Sequence, residues 1–153
     1  MRERYRAIII KDNKLLLMHR FREGLEFYVF PGGGLEAGET PKECCERELL
    51  EEFGIVIEAQ KLIYLINQNG AKQGFFVAKW ISGEIHTTDA EEYTKGDHFG
   101  TYDPTSVNLE EIPKLNILPP EVKQQLLEDL KNYNNLLLRP LVEFKCKDFK
   151  EWK

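Results

Sequence analysis

The chain has 153 residues, 42% of them hydrophobic and 31% charged, with 21 Lys and Arg against 26 Asp and Glu and a formal net charge of −5. That length holds one domain with a sizeable core and is short for two, so a single domain over residues 1–153 is expected. The longest apolar runs, "AIII" and "LLLM", are far too short to cross a bilayer, and the negative balance supplies no field for the many phosphates of a nucleic acid. Neither a membrane nor a nucleic acid is therefore expected as a partner. The opening "MRERYRAIII" has neither the apolar core nor the small-residue cleavage site of a secretory signal, which makes the cytoplasm the expected location. The cysteines are odd in number, and Cys44 and Cys45 are adjacent with no C-x-x-C pair, which argues against a disulfide framework or a zinc site. They are read as reduced thiols, Cys45 as a small buried hydrophobe.

Along the chain, "RYRAIII" and "KLLLMHR" are apolar runs of strand length flanking the turn-forming "KDN", and an antiparallel hairpin is expected there. A short strand, "EFYVF", runs into "PGGG", where proline and glycines exclude regular structure and let the backbone approach a ligand closely. Thr40, Pro41 and Glu43 then start a helix: Thr40 caps, Pro41 fits the first helical position and Glu43 completes a capping box, while Gly54 supplies the stop. The segments "IVIEAQKLIYLINQ" and "FFVAKWISG", separated by a turn at "NGAKQG", are rich in β-branched and aromatic residues and extend what is read as one mixed sheet. Residues 87–103 carry two glycines and little periodicity and are read as a long loop, a common place for function. A later helix is expected from Glu121 to Tyr133, with apolar spacing at Val122, Leu126, Leu127 and Leu130. Residues 134–153 form a C-terminal extension, in which "LLLRPLVEF" reads either as an extra strand or as a packing segment at a subunit interface. Pro140 argues against an unbroken helix there. The whole suggests an α/β sandwich with helices covering a mixed sheet.

The central helix carries the chemistry. At about 100° per residue, Cys45, Leu49, Leu50 and Phe53 are placed on one apolar arc, and Glu48, Glu51 and Glu52 form a ridge along its border. Like charges at such spacing cost roughly 0.2–0.5 kcal/mol per pair, and more where water is partly excluded. The ridge also lies in the last turns, where the helix dipole disfavours negative charge. A hard divalent cation such as Mg²⁺ or Mn²⁺, which takes several oxygen ligands, would turn each repulsion into attraction. The bland alternative is a solvated acidic helix face. Against it stand the glycine loop just upstream and Arg47, which is placed to hold one carboxylate and is a single charge against three.

Gly33, Glu39, Arg47-Glu48-Leu49, Glu51-Glu52 and Gly54-Ile55, at these fixed spacings, resemble the Nudix box with no departure at any defining position. The preceding "LLLMHR" and "YVFPGG" are also similar to Nudix hydrolase sequences, and the resemblance thins in the tail. It implies a Nudix-type α/β/α sandwich with a mixed β-sheet between helices. It also implies metal-dependent hydrolysis of a pyrophosphate bond in a nucleoside diphosphate linked to another moiety. The substrate is then a small nucleotide, either a nucleotide sugar such as ADP-ribose or a noncanonical or oxidised nucleoside triphosphate. Carried over by position, Glu48 and Glu52 are direct metal ligands, Glu51 a direct or water-mediated one, and the Gly32 carbonyl a further one. Glu39, Arg47 and Gly54 are supports, with Arg47 counted among the catalytic set. The cofactor implied is Mg²⁺, with Mn²⁺ as a substitute.

The general base comes in relatives either from the box or from a later loop. Glu92 is the loop candidate here, with Glu91 and Asp97 behind it, against the alternative of a solvated loop acid. Arg20 is a candidate for a substrate phosphate, against surface exposure. Arg22 is a weaker candidate of the same kind. Gly33 and Gly34 are candidates for close substrate approach, and Tyr28 for a base pocket, against a core role. His19, His86 and His98 show no ligand spacing. Two further classes remain: a non-catalytic Nudix-like module that binds or senses a nucleotide, and an isomerase of isoprenoid diphosphates, for which Cys44 and Cys45 are poorly placed. Many relatives are dimers, and the apolar tail offers a homodimer interface.

Overall fold

A computed structural model describes residues 2–68, 70–85 and 100–144. Ten strands are seen among these residues: β1 (Arg4–Ile8), β2 (Ile10–Lys11), β3 (Lys14–Arg22), β4 (Leu25–Val29), β5 (Gly32–Gly34), β6 (Val56–Gln68), β7 (Ala71–Ser82), β8 (Thr101–Asn108), β9 (Ile117–Leu118) and β10 (Val142–Phe144). Among the described residues two α-helices accompany them, α1 (Pro41–Phe53) and α2 (Pro120–Asn132), with short 3₁₀ turns at Leu109–Lys114 and Leu136–Leu138.

The α/β class and the mixed pairing expected from the sequence are present, but the strands divide between two sheets. One runs β10-β6-β7-β1-β5, the other β2-β3-β4-β9, with β8 paired along β3. The division falls inside the expected N-terminal hairpin. β1 joins the first sheet, parallel to β7 and antiparallel to β5, and only Ile10 and Lys11 turn back onto Leu15 and Lys14 in the second. The reason is burial on both faces. Along β3, Leu16 and Met18 pack into the core under α1 while Leu15 and Leu17 pack into the core under α2; along β1, Tyr5 and Ala7 face the first core and Ile8 the second. Strands covered on both sides read as continuous apolar runs, and a run alone does not reveal which sheet it enters.

Three other boundaries differ from expectation. Thr101–Asp103, read as loop, begin β8, whose eight residues pair antiparallel with β3 from Phe21↔Thr101 to Lys14↔Asn108. Pro104 and the polar sequence hid this strand, since proline fits a sheet chiefly at an edge. The turn after β6 is tighter than "NGAKQG", because Gln68 already pairs with Ala71. In the tail, Val142–Phe144 takes the strand alternative, parallel to β6.

Helix α1 forms as its sequence dictates. Thr40 Oγ1 accepts from Glu43 N at 3.1 Å, Glu43 Oε1 accepts from Thr40 N at 2.9 Å, and Gly54 ends the helix at φ 72° with its N–H donating to Leu50 O. Its inner face is Cys44, Cys45, Leu49 and Phe53. Leu50, expected on that face, is 54% exposed, because about 100° per residue carries it well outside the arc that centres between Cys45 and Leu49. Glu46 fastens the helix to the sheet by accepting from Ala59 N at 2.9 Å, beside the register shift between Ala59 and Lys61. On the other side, Asp129 of α2, 2% exposed, accepts from Tyr64 Oη, from Gln125 Nε2 at 3.1 Å and from Arg139 Nε at 3.1 Å. That buried group joins β6, α2 and the C-terminal extension.

Candidate active site

The same helical arithmetic that exposes Leu50 explains the site. Glu48 and Glu52 fall inside the angular range that runs from Cys44 to Phe53, so they lie on the inner face of α1, whereas Glu51 falls just beyond its edge. Glu48 and Glu52 accordingly line a cavity of about 420 Å³, together with Gly32, Gly33 and Gly34 of β5 and with Arg4, Arg6, Arg20 and Tyr102. Glu51 does not reach it; its side chain is 59% exposed and accepts from Arg47 Nη1 at 3.1 Å.

Arg47 is the hub of this arrangement. Nε donates to Glu39 Oε2 at 2.6 Å and Nη2 to Glu39 Oε1 at 3.1 Å, a two-pronged pair between side chains 21% and 12% exposed. Nη2 also donates to Gly34 O at 3.0 Å, and Nη1 to Glu48 Oε1 at 3.0 Å. Loop, helix and glycine strand are thereby held by one planar guanidinium, the geometry for which arginine is suited and lysine is not. Glu39 in turn accepts from Glu36 N at 3.0 Å. Arg47, first, holds the Glu39 carboxyl down at about 2, against an ordinary 4.5.

Gly33 lies so close to α1 that a Cβ there would sit 2.6 Å from both carboxylate oxygens of Glu48. The absence of a side chain is what lets Glu48 stand against the loop. Glu52 has a different character. It is an exposed residue whose carboxyl group is nonetheless desolvated by the cavity wall; this first, and then the nearby Glu48 carboxylate, push it up to about 7 from 4.5. Among the described residues it accepts no hydrogen bond and forms no ion pair.

The opposite wall is cationic. Arg20, 2% exposed and so not a surface residue, donates from Nε to Thr101 O at 3.0 Å and lies 3.7 Å over the Tyr102 ring. Burial lowers its pKa. Arg6, 7% exposed, is held by Gln73 Oε1 and by Phe30 O at 2.8 Å, and burial pulls it down to about 10. Sequence reading missed Arg6, Gln73 and Tyr102. The available signal was an arginine inside the otherwise apolar "RYRAIII".

Tyr28 is placed elsewhere: it stacks on His19, with ring centroids 4.5 Å apart, and packs against the core under α2 instead of lining the cavity. His19 also meets Glu26 Oε2 at 2.8 Å. Cys44 and Cys45 are buried, and burial raises both thiols, Cys44 to about 11. Neither is therefore placed to serve as the thiol that an isomerase of isoprenoid diphosphates would need. Glu91, Glu92, Asp97, His86 and His98 lie outside the described residues.

A capped acidic helix, a glycine strand pressed against it and a facing wall of arginines define an α/β protein with a mixed-charge cavity at the helix. The NUDIX domain model matches residues 1–126, and the chain belongs to that family. It is 40% identical over 58 residues to an ADP-ribose pyrophosphatase of Methanocaldococcus jannaschii, a match over 37% of this chain and 34% of the relative. An RNA pyrophosphohydrolase of Psychromonas ingrahamii is 41% identical over 57 residues, 37% and 32% of the two chains. An 8-oxo-dGTP diphosphatase of Haemophilus influenzae is 56% identical over 36 residues, 24% of each. The chain spans about a third or less of the length of these curated relatives. Among solved structures, a NUDIX hydrolase from Nitrosomonas europaea superposes with TM-score 0.70 at 18% identity, over 95% of this chain and 79% of that one. MutT from Bacillus halodurans gives 0.65 at 19%, over 97% and 92%. These two likenesses show the fold.

Proposed function

We propose that this protein is a hydrolase that cleaves the pyrophosphate bond of a nucleoside diphosphate linked to another moiety, with Mg²⁺ or Mn²⁺ as cofactor. The observation that carries the reading is the Glu52 carboxyl group, desolvated beside Glu48 in the cavity and unpartnered among the described residues. Two carboxylates and the backbone of a glycine strand are an all-oxygen donor set, the kind that hard divalent ions select. In the present arrangement no three acidic, His or Cys side chains converge on one point among the described residues, so Glu48, Glu52 and the Gly32 backbone are the donors assigned, with Glu51 acting from outside through Arg47 or a water. A bound cation would neutralise nonbridging phosphoryl oxygens and acidify an attacking water.

The remaining work is positioning. Arg47 and Glu39 fix α1 against the glycine strand, Gly33 keeps the approach to Glu48 clear, and Arg20, immobilised between Thr101 O and Tyr102, presents a fixed cation to the substrate. Phosphoryl transfer asks for alignment and charge neutralisation more than for covalent work by the protein, which is what these residues provide. Glu92 stays the loop candidate for general base. The three named relatives act on different compounds that share a phosphoanhydride, and that shared bond is the one assigned here.

The test is nucleotide or phosphate release from a panel of nucleotide sugars, nucleoside triphosphates and oxidised nucleotides with Mg²⁺ or Mn²⁺, comparing wild type with Glu52→Gln. Turnover by wild type and its loss in the variant support the reading. Equal turnover overturns it, and binding of a nucleotide without turnover makes the protein a non-catalytic module.

A further inference from the structure

Arg6 stands out because its surroundings leave it incompletely satisfied. The residue is 7% exposed. Nε donates to Gln73 Oε1 and Nη1 to Phe30 O at 2.8 Å, and among the described residues Nη2 has no acceptor. A buried, permanently charged group with unused N–H donors is costly unless something else accepts from them. Both of its partners are fixed: Gln73 is itself buried on β7, next to β1 in the sheet, and the Phe30 carbonyl precedes the glycine strand. The side chain lines the same cavity as Glu48 and Glu52, yet forms an ion pair with neither. Carboxylates kept near a guanidinium but out of contact leave space for a third group between them.

We propose that Arg6 is a substrate-binding residue whose free N–H edge donates to a nonbridging phosphoryl oxygen, with Gln73 as the positioning residue that aims it. The ligand chemistry is a phosphoanhydride anion, held between the arginine wall and the glutamate wall. The inference rests on the reading of the cavity as a pyrophosphate site. It goes beyond that reading by assigning the anion to a residue outside the α1 motif, on β1, and its orientation to β7. Because Arg6 is clamped by two acceptors before any ligand arrives, no side-chain ordering is required at binding.

Isothermal titration of imidodiphosphate in saturating Mg²⁺ tests this, on wild type, Arg6→Gln, Arg6→Lys and Gln73→Met, with Mn²⁺ affinity measured in parallel. Loss of a charge-assisted bond predicts binding about 10–100-fold weaker for Arg6→Gln, with partial recovery in Arg6→Lys. Gln73→Met should weaken binding a few-fold through misaimed donors, and Mn²⁺ affinity should stay within about twofold in every variant. Unchanged imidodiphosphate affinity in Arg6→Gln, or no binding by wild type, overturns the proposal. A parallel loss of Mn²⁺ affinity also overturns it, since Arg6 would then act through the glutamates. If Arg6→Gln fails to fold, Arg6→Lys and Gln73→Met decide by the same comparison. Arg6-dependent binding without turnover of any substrate would defeat the hydrolase reading alone; turnover with a KM unaffected by Arg6 would defeat this one alone.

Discussion

Replacing Arg47 by lysine keeps the positive charge and removes the fork. Lysine offers three donors on a single nitrogen and can hold one oxygen of Glu39, but it cannot span Glu39, Gly34 O and Glu48 together, as Arg47 does. The bonds lost are one prong to Glu39, between side chains 21% and 12% exposed, the bond to Gly34 O and the bond to Glu48 Oε1. The contact with Glu51, 59% exposed, adds little. At about 1.5–3 kcal/mol for a hydrogen bond to a charged group, partly recovered by the ammonium, the expected loss is about 2–4 kcal/mol. For a chain of this size that is a fall of roughly 5–15 °C in Tm. Thermal unfolding followed by circular dichroism in metal-free buffer measures it. A double-mutant cycle with Glu39→Gln should give a coupling of about 2 kcal/mol. The cycle also has a pH signature. Glu39 is held at about 2 in the fold against an ordinary 4.5, so its contribution is complete above about pH 4.5 and is lost as pH falls towards 2; either substitution should flatten that acid limb. A Tm within about 2 °C of wild type together with a coupling below about 0.5 kcal/mol would refute the claim that this pair clamps loop to helix.

Gly33→Ala would push the Glu48 carboxylate aside, since its oxygens would lie 2.6 Å from the new Cβ and the three heavy atoms nearest that Cβ all belong to Glu48; calorimetry should show a folded protein with Mg²⁺ affinity reduced about tenfold or more, and an unchanged affinity would exclude Glu48 as a ligand. Glu52 has a folded pKa raised to about 7 from 4.5, so the metal-free protein should lose stability as pH rises from about 4.5 to 7. Glu52→Gln should abolish that slope, and a pH series of melting curves that is the same in both proteins would contradict it. Mg²⁺ binding to wild type should weaken below about pH 7 as the proton competes. Asp129→Asn leaves Arg139 without its charge partner in a site where Asp129 is 2% exposed, and should cost about 3–5 kcal/mol in denaturant unfolding; a change under about 1 kcal/mol would mean the extension is held by β10 and by the packing of Leu136.

The sequence by itself determined α1, from the Thr40 cap to Gly54, because capping and helix termination depend on residues a few positions apart. It also determined that Glu48 and Glu52 would crowd on one side of that helix, which follows from helical spacing alone. The α/β class was legible for the same reason. What it did not determine was which sheet each apolar run enters, since β1 and β3 are buried on both faces and carry no alternation to read. The strand at Thr101–Asn108 was invisible because its pairing with β3 is the only thing that makes it a strand. The arginine wall was hidden likewise: Arg6 of β1 and Tyr102 of β8 are far apart in the chain and meet at the cavity, with Gln73 of β7 behind Arg6, only once the sheets have formed. Local physics wrote the acidic half of the site, and long-range packing supplied the basic half that faces it.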